Sequence, residues 1–248
     1  MTLEQFFAEN REVAVAFSGG VDSAYLLYAA TRYAARAKAY YVSTAFQPAF
    51  ELEDARRLTD ELGADMLVLH VDVLSNSAVT ANPSDRCYHC KNTLFRQILR
   101  AAENDGFPVL LDGTNASDDA GDRPGMRALR ELSVRSPLRE CGLTKAEIRR
   151  LSREAGLFTW DKPAYACLAT RIRTGEEITL QKLRQTEKAE GFLFGLGFRD
   201  FRVRMVGNTA KLELREADLP LLLENREKIV TELRKDYDSV LLNLEVRK

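Results

Sequence analysis

Apolar positions in the first half of the chain fall into two alternating patterns. Val13 to Phe17 is a continuous apolar run, and short β-rich runs recur at Ala39 to Thr44, Met66 to Val71 and Pro108 to Leu111. Stretches of helical period separate them, from about Asp22 to Arg36, near Glu51 to Leu62, and from Ser84 to Asn104 with Ser84 as candidate N-cap. Strands alternating with helices specify an α/β fold, a parallel sheet with helices on both faces, which binds at the carboxyl ends of its strands. Thr144 with Glu147 three residues later forms a capping box, placing the last helix of this domain at Thr144 to Ala155. Beyond Arg173-Thr174-Gly175 the pattern changes. A helix near Thr179 to Glu190 is followed by short strands at Phe201 to Val206 and Ala210 to Leu214, joined by a Gly-Asn turn, then by a helix and a final strand at Val240 to Val246. The expected division is therefore a domain over 1–175 and a small C-terminal α+β domain over 176–248.

Composition permits this division: 248 residues with 45% hydrophobic and 29% charged content suffice for one sizeable core and a second small domain. A formal net charge of −1 argues against a nucleic-acid partner. The N-terminus is not a secretory signal, and no apolar run reaches the length of a membrane span. A soluble, cytoplasmic protein is expected. In that compartment Cys87, Cys90, Cys141 and Cys167 are metal ligands, reactive thiols or core rather than a disulfide framework.

Ser18-Gly19-Gly20-Val21-Asp22-Ser23 lies between a buried strand and a helix start, where backbone amides and the helix dipole converge on an anion. Glycines permit close backbone approach to phosphate, and the serine hydroxyls offer further hydrogen bonds. Asp22 is too acidic for a bare phosphate site, which makes it a Mg²⁺ or orientation residue. The loop lacks the lysine and spacing of a Walker A motif and the third glycine of a dinucleotide fingerprint. It resembles the PP-loop of ATP pyrophosphatases, SGGxDS, which holds the β- and γ-phosphates of ATP while cleavage falls at the α-phosphate. Asp112-Gly113-Thr114-Asn115 follows the fourth strand at the same sheet edge, and Asp118 and Asp119 are further candidates for Mg²⁺.

Cys87 and Cys90 are spaced i, i+3 and share one helix face. Alone they fit a redox pair, half a zinc site completed from Cys141, Cys167, His70 or His89, or a cluster-binding pair. Cys167 has Arg171 four residues on, a cation suited to a thiolate or a phosphate. Cys141 reads as inert core.

The combination of the PP-loop, Arg86-Cys87-Tyr88-His89-Cys90-Lys91, Asp112-Gly113-Thr114-Asn115, Ser136-Pro137-Leu138, Lys162-Pro163 and Cys167-Leu168-Ala169-Thr170-Arg171-Ile172 resembles the LarE family over nearly the full length. These are ATP-dependent sulfur transferases that make the nickel-pincer nucleotide cofactor of lactate racemase. The resemblance implies ATP, Mg²⁺ and, since all three cysteines are present, a [4Fe-4S] cluster held by Cys87, Cys90 and Cys167. Other members instead surrender the sulfur of a cysteine at the Cys167 position and are left with dehydroalanine. The implied substrate is pyridinium-3,5-biscarboxylic acid mononucleotide, whose carboxylate is adenylated and then attacked by hydrosulfide. Arg202 and Arg204, alternating along one strand face, with Arg171, are implied as its phosphate ligands, and Glu190 and Glu213 fall where the family carries acidic residues. A homo-oligomer, a hexamer, is implied as well. A tRNA thiolase, an amidating synthetase of the same superfamily and a non-catalytic ATP-binding zinc protein are the competing readings.

Overall fold

The computed structural model describes residues 1–118 and 124–247, so Asp119 lies outside the described residues. The chain forms two compact units, one of residues 1–73 and 85–164, the other of residues 74–84 and 165–248.

The first unit opens with α1 (Leu3–Glu9), started by a Thr2–Gln5 capping box. β1 (Glu12–Phe17), α2 (Val21–Tyr33), β2 (Arg36–Ser43), α3 (Ala49–Leu62) and β3 (Met66–His70) follow. The four-stranded sheet has the order β3-β2-β1-β4, all parallel, with β4 at Val109–Leu111. Side chains of β1 alternate: Val13, Val15 and Phe17 pack on one face with Leu26, Leu27 and Ala30 of α2, and Ala14 packs on the other with Ile98 and Ala102. Helices therefore cover both faces, as the continuous apolar strands predict. Each aliphatic side chain buried this way contributes about 1.5–3 kcal/mol.

Residues 74–84, which include the short α4 (Ser77–Thr80), belong to the second unit. Asn82 there is buried at φ 52 and donates from Nδ2 to the Arg173 carbonyl at 2.8 Å, while the Gly175 amide donates to the Asn82 carbonyl at 2.8 Å. This excursion delays α5 (Arg86–Asn104): the helix begins two residues after Ser84, and Asp85 holds the cap position with no side-chain cap bond. Past β4, the first unit ends with α6 (Pro124–Glu131), α7 (Pro137–Glu140), α8 (Lys145–Glu154) and a 3₁₀ turn at Phe158–Asp161. The capping box on α8 is present as expected.

The second unit contains a 3₁₀ turn at Leu168–Arg171, α9 (Leu180–Gly195), the hairpin β5 (Arg202–Val206) and β6 (Thr209–Glu213), α10 (Leu219–Glu224), α11 (Arg226–Leu233) and β7 (Ser239–Leu242). Its sheet order is β5-β6-β7, the hairpin antiparallel and β7 parallel to β6. Gly207, at φ 59, supplies the turn conformation that the Gly-Asn pair promises. α9 runs five residues past Glu190 because its buried face, Leu183, Thr186, Ala189, Glu190 and Leu193, continues at helical period. Residues 165–173, expected in the first domain, pack instead within this unit, through the Ile172–Met205 bridge and the Arg171–Glu190 ion pair. The final strand stops at Leu242, four residues short of the expected end.

Candidate active site

The PP-loop stands at the carboxyl end of β1. Gly19 adopts φ +73, a left-handed conformation that favours glycine, while a Cβ there would lie 3.4 Å from the Glu51 carbonyl and 3.5 Å from Ala55 Cβ on α3, in close but ordinary contact. At Gly20 a Cβ would meet only Ser18 Oγ at 3.5 Å, so the fold itself does not demand glycine there. The serines close the loop on itself. Ser23 Oγ donates to the Gly20 carbonyl at 3.1 Å, accepts from the Ser18 amide at 3.2 Å, and stands 3.0 Å from Ser18 Oγ. Val21, Asp22 and Ser23 open α2, where amides lack intrahelical acceptors and the helix dipole favours an anion.

Two lysines remote in sequence flank this loop. Lys145, the first residue of α8, donates from Nζ to Asp22 Oδ2 at 2.6 Å. Asp22 Oδ1 is buried without a hydrogen-bond partner among the described residues. Burial pushes the Asp22 carboxyl above the ordinary aspartate range, and Lys145 opposes that shift. Lys162 Nζ donates to Asp54 Oδ2 at 2.6 Å and reaches the Gly19 carbonyl at 3.4 Å. Arg149 fixes the segment that carries Lys162 by donating to the carbonyls of Trp160, at 2.7 Å, and Lys162, at 2.9 Å. Sequence reasoning missed Lys145 as a site residue, and its one signal was the capping box that starts α8 beside it.

The Asp112–Asn115 turn presses on the same loop. A Cβ at Gly113 would sit 2.9 Å from the Ser23 amide nitrogen and 3.2 Å from its Cα, closer than folded chains allow. Asp112, buried, accepts from Ser136 Oγ at 2.6 Å and Thr114 Oγ1 at 2.5 Å. Thr114 and Asn115 are buried too. Asp118, a candidate for Mg²⁺, accepts the Asn115 amide at 2.9 Å with Oδ2 and so fastens the turn.

In the second unit, Arg171 is buried and makes a two-pronged pair with Glu190, Nε to Oε1 at 2.8 Å and Nη2 to Oε2 at 2.9 Å. Its Nη1 donates to the Ala166 carbonyl at 2.8 Å and Thr170 Oγ1 at 2.9 Å. A guanidinium so engaged holds the segment around Cys167 in place, and this occupation argues against the direct phosphate contact expected of it. Glu190 is likewise buried rather than solvated, since it also accepts the Val203 amide at 2.9 Å and the Tyr165 hydroxyl. Arg202 and Arg204 share the face that β5 alternation predicts. Arg202 is buried, 3.7 Å from Asp200 and 5.4 Å from the Tyr165 ring centre. Arg204 donates to Glu213 at 3.0 Å and to the Thr170 carbonyl. Thr170 in turn donates its amide and hydroxyl to the Cys167 carbonyl, at 2.9 and 2.8 Å. Cys167, Tyr165 and the arginines thus form one locality.

Cys87 lies in the first turn of α5 with Cys90 three residues on, and Arg86 Nη2 stands 3.8 Å from Cys87 Sγ. All four cysteines stand outside disulfides. Among the described residues no three His, Cys, Asp or Glu side chains are arranged as a metal-ligand group, and no helix is long and apolar enough to cross a membrane. Cys141 packs against the main core, and burial raises its thiol pKa, as an inert role requires.

Known proteins resemble the chain in both halves. The asparagine synthase family model matches residues 4–118, the stretch that holds the PP-loop and the Asp112–Asn115 turn. An uncharacterized protein of Synechocystis is 39% identical over 215 residues, covering 86% of this chain and 80% of that protein. An uncharacterized protein of Methanocaldococcus jannaschii is 30% identical over 240 residues, covering 96% and 91%. The pyridinium-3,5-bisthiocarboxylic acid mononucleotide synthase of Lactiplantibacillus plantarum is 32% identical over 235 residues, 94% of this chain and 85% of the synthase. At that identity and coverage, reaching through the PP-loop unit and into the unit that carries Cys167, Arg202 and Arg204, the chain belongs to the family of that synthase, the LarE family.

Proposed function

We propose that this chain is a cytoplasmic, ATP-dependent sulfur transferase acting on pyridinium-3,5-biscarboxylic acid mononucleotide. A substrate carboxylate oxygen attacks the α-phosphorus of ATP, pyrophosphate leaves, and the acyl adenylate forms. Hydrosulfide sulfur then adds to the acyl carbon, and AMP leaves a thiocarboxylate. Activation is needed because a free carboxylate would have to expel oxide or hydroxide.

The observation that carries this reading is the joining of Cys167 to Arg204 through Thr170, while Arg171 holds the same segment in place, which puts a sulfur-bearing residue beside a cation that suits a nucleotide phosphate. In the first unit, the α2 amides and Lys162 receive the β- and γ-phosphates, and Lys145 and Asp22 balance charge at the helix start. Asp22 Oδ1, buried and lacking a partner among the described residues, fits Mg²⁺, which would neutralise the departing pyrophosphate. Cys87, Cys90 and Cys167 are thiols outside disulfides, the donor chemistry that suits a [4Fe-4S] cluster. Such a cluster, with one iron lacking a protein ligand, would supply a site for exogenous hydrosulfide. A homohexamer is the assembly that the family resemblance implies.

The test is anaerobic turnover with ATP and the mononucleotide. Pyrophosphate and AMP should appear together with a product in which sulfur has replaced a carboxylate oxygen, and pyrophosphate without any sulfur-containing product would defeat the proposal. Arg202→Ala and Arg204→Ala should each weaken mononucleotide binding about ten- to a hundredfold and leave ATP binding near wild type. Calorimetric titration checks this, and unchanged mononucleotide affinity in both variants would move the phosphate site elsewhere. Lys145→Met removes the cation from a partly exposed ion pair with Asp22 and should slow pyrophosphate release about tenfold or more, with the thermal unfolding midpoint little changed. Asp22→Ala should abolish release, and wild-type rates in either variant would remove the Asp22–Lys145 pair from the mechanism.

A further inference from the structure

Arg247, near the end of the chain, is not required by the chemistry proposed above, yet it stands inside the arginine cluster. Residues 243–247 run beside the end of β6: the Asn243 amide donates to the Leu212 carbonyl and the Arg247 amide to the Leu214 carbonyl, both at 2.8 Å. This brings the guanidinium to two carboxylates. Arg247 Nη2 donates to Asp200 Oδ1 at 3.2 Å, and Nη1 lies 3.8 Å from Glu213 Oε2. Each of these acids also meets one of the phosphate-site arginines, Asp200 meeting Arg202 at 3.7 Å and Glu213 meeting Arg204 at 3.0 Å. The order is Arg202, Asp200, Arg247, Glu213, Arg204, an unbroken alternation of charge with Arg247 at its centre.

Two features set this chain of charges apart from an ordinary surface network. Three guanidinia face two carboxylates, so one positive charge is left over. Arg247 Nε is also buried without an acceptor among the described residues. A cluster organised only for stability would not keep a surplus cation and an unsatisfied donor, whereas a site that receives an anion gains from both. Burial chiefly, and then the neighbouring charges of Arg171 and Arg247, hold the Arg202 pKa below the usual arginine range, against the opposing pull of Glu190 and Asp200.

We propose that Arg247 is a positioning residue of the anion site, tying Asp200 to Glu213 so that Arg202 and Arg204 are held in one register for a phosphate. The inference rests on the reading of Arg202 and Arg204 as phosphate ligands. It makes the C-terminal segment part of substrate recognition.

The test compares Arg247→Met, Arg247→Lys and Arg202→Ala in the full-length protein by calorimetric titration with inorganic phosphate and with pyridinium-3,5-biscarboxylic acid mononucleotide. Steady-state kinetics separate KM from kcat. Arg247→Met should weaken both ligands about tenfold, raising KM for the mononucleotide with kcat within about twofold and ATP affinity unmoved. Arg247→Lys, keeping a charge but losing the fork that spans two acids, should recover part of the loss. Pairing Arg247→Met with Asp200→Asn should cost less than the sum of the single losses. Wild-type affinity in Arg247→Met, alongside weakened binding in Arg202→Ala, would overturn the role of Arg247 alone. Wild-type phosphate affinity in Arg202→Ala would instead overturn the anion site, and with it this inference.

Discussion

Gly113→Ala is expected to lower ATP-dependent pyrophosphate release about a hundredfold while the first unit stays folded. A new Cβ would lie 2.9 Å from the Ser23 nitrogen and 3.3 Å from the Asp22 carbonyl carbon, and these are backbone atoms that cannot rotate aside. Relief must come from displacing either the turn or the start of α2. The turn is anchored by the buried Asp112, which Ser136 and Thr114 both hold, so the α2 start is the part expected to move. Overpacking of this kind costs about 1–3 kcal/mol of stability, which a unit of this size tolerates. Misplacing the amides proposed to bind phosphate by a fraction of an ångström is the larger loss. Gly20→Ala is the contrast. Its Cβ has space, so the protein should keep wild-type stability, and any loss of pyrophosphate release there would report contact with ATP rather than with the chain. Full release by Gly113→Ala would show that the turn does not set the loop.

What could be read in advance follows the sequence separation of the interactions. The apolar run Val13 to Phe17, the SGGxDS loop and the Thr144 capping box are local signals, and the sheet, the loop and the helix start stand where those signals put them. Lys145 meets Asp22 across 123 residues, Lys162 meets Asp54 across 108 and Arg247 meets Asp200 across 47. No periodicity announces such pairs, because surface lysines and arginines carry the same pattern on any solvated helix. Arg171 is the instructive middle case. Its position four residues beyond Cys167 marked it as functional, but that Glu190 would occupy its guanidinium depends on α9 packing against the 3₁₀ turn, which spacing alone does not encode.

The cysteines separate two mechanisms of opposite stoichiometry, and the separation is large. If Cys87, Cys90 and Cys167 together hold a cluster, replacing any one by alanine should lower iron content and sulfur transfer in step. Cys141→Ala should leave both intact, since that thiol packs against the core of the first unit. If Cys167 instead surrenders its own sulfur, only Cys167→Ala should abolish transfer, and each polypeptide should turn over once, leaving dehydroalanine at position 167. Exposure makes the variants informative: Cys87 is exposed and Cys90 partly so, which means that truncating them removes little packing and any loss of activity is chemical. Oxygen gives an independent measurement. Clusters with an open iron are destroyed in air, whereas a thiol spent once per chain needs neither iron nor sulfide. Aerobically purified protein should therefore be nearly inactive and should regain multiple turnovers after anaerobic incubation with iron and sulfide. Single-turnover activity in a Cys87→Ala, Cys90→Ala double variant, with dehydroalanine detected at position 167 by mass spectrometry, would overturn the cluster assignment and leave Cys167 as the sulfur donor.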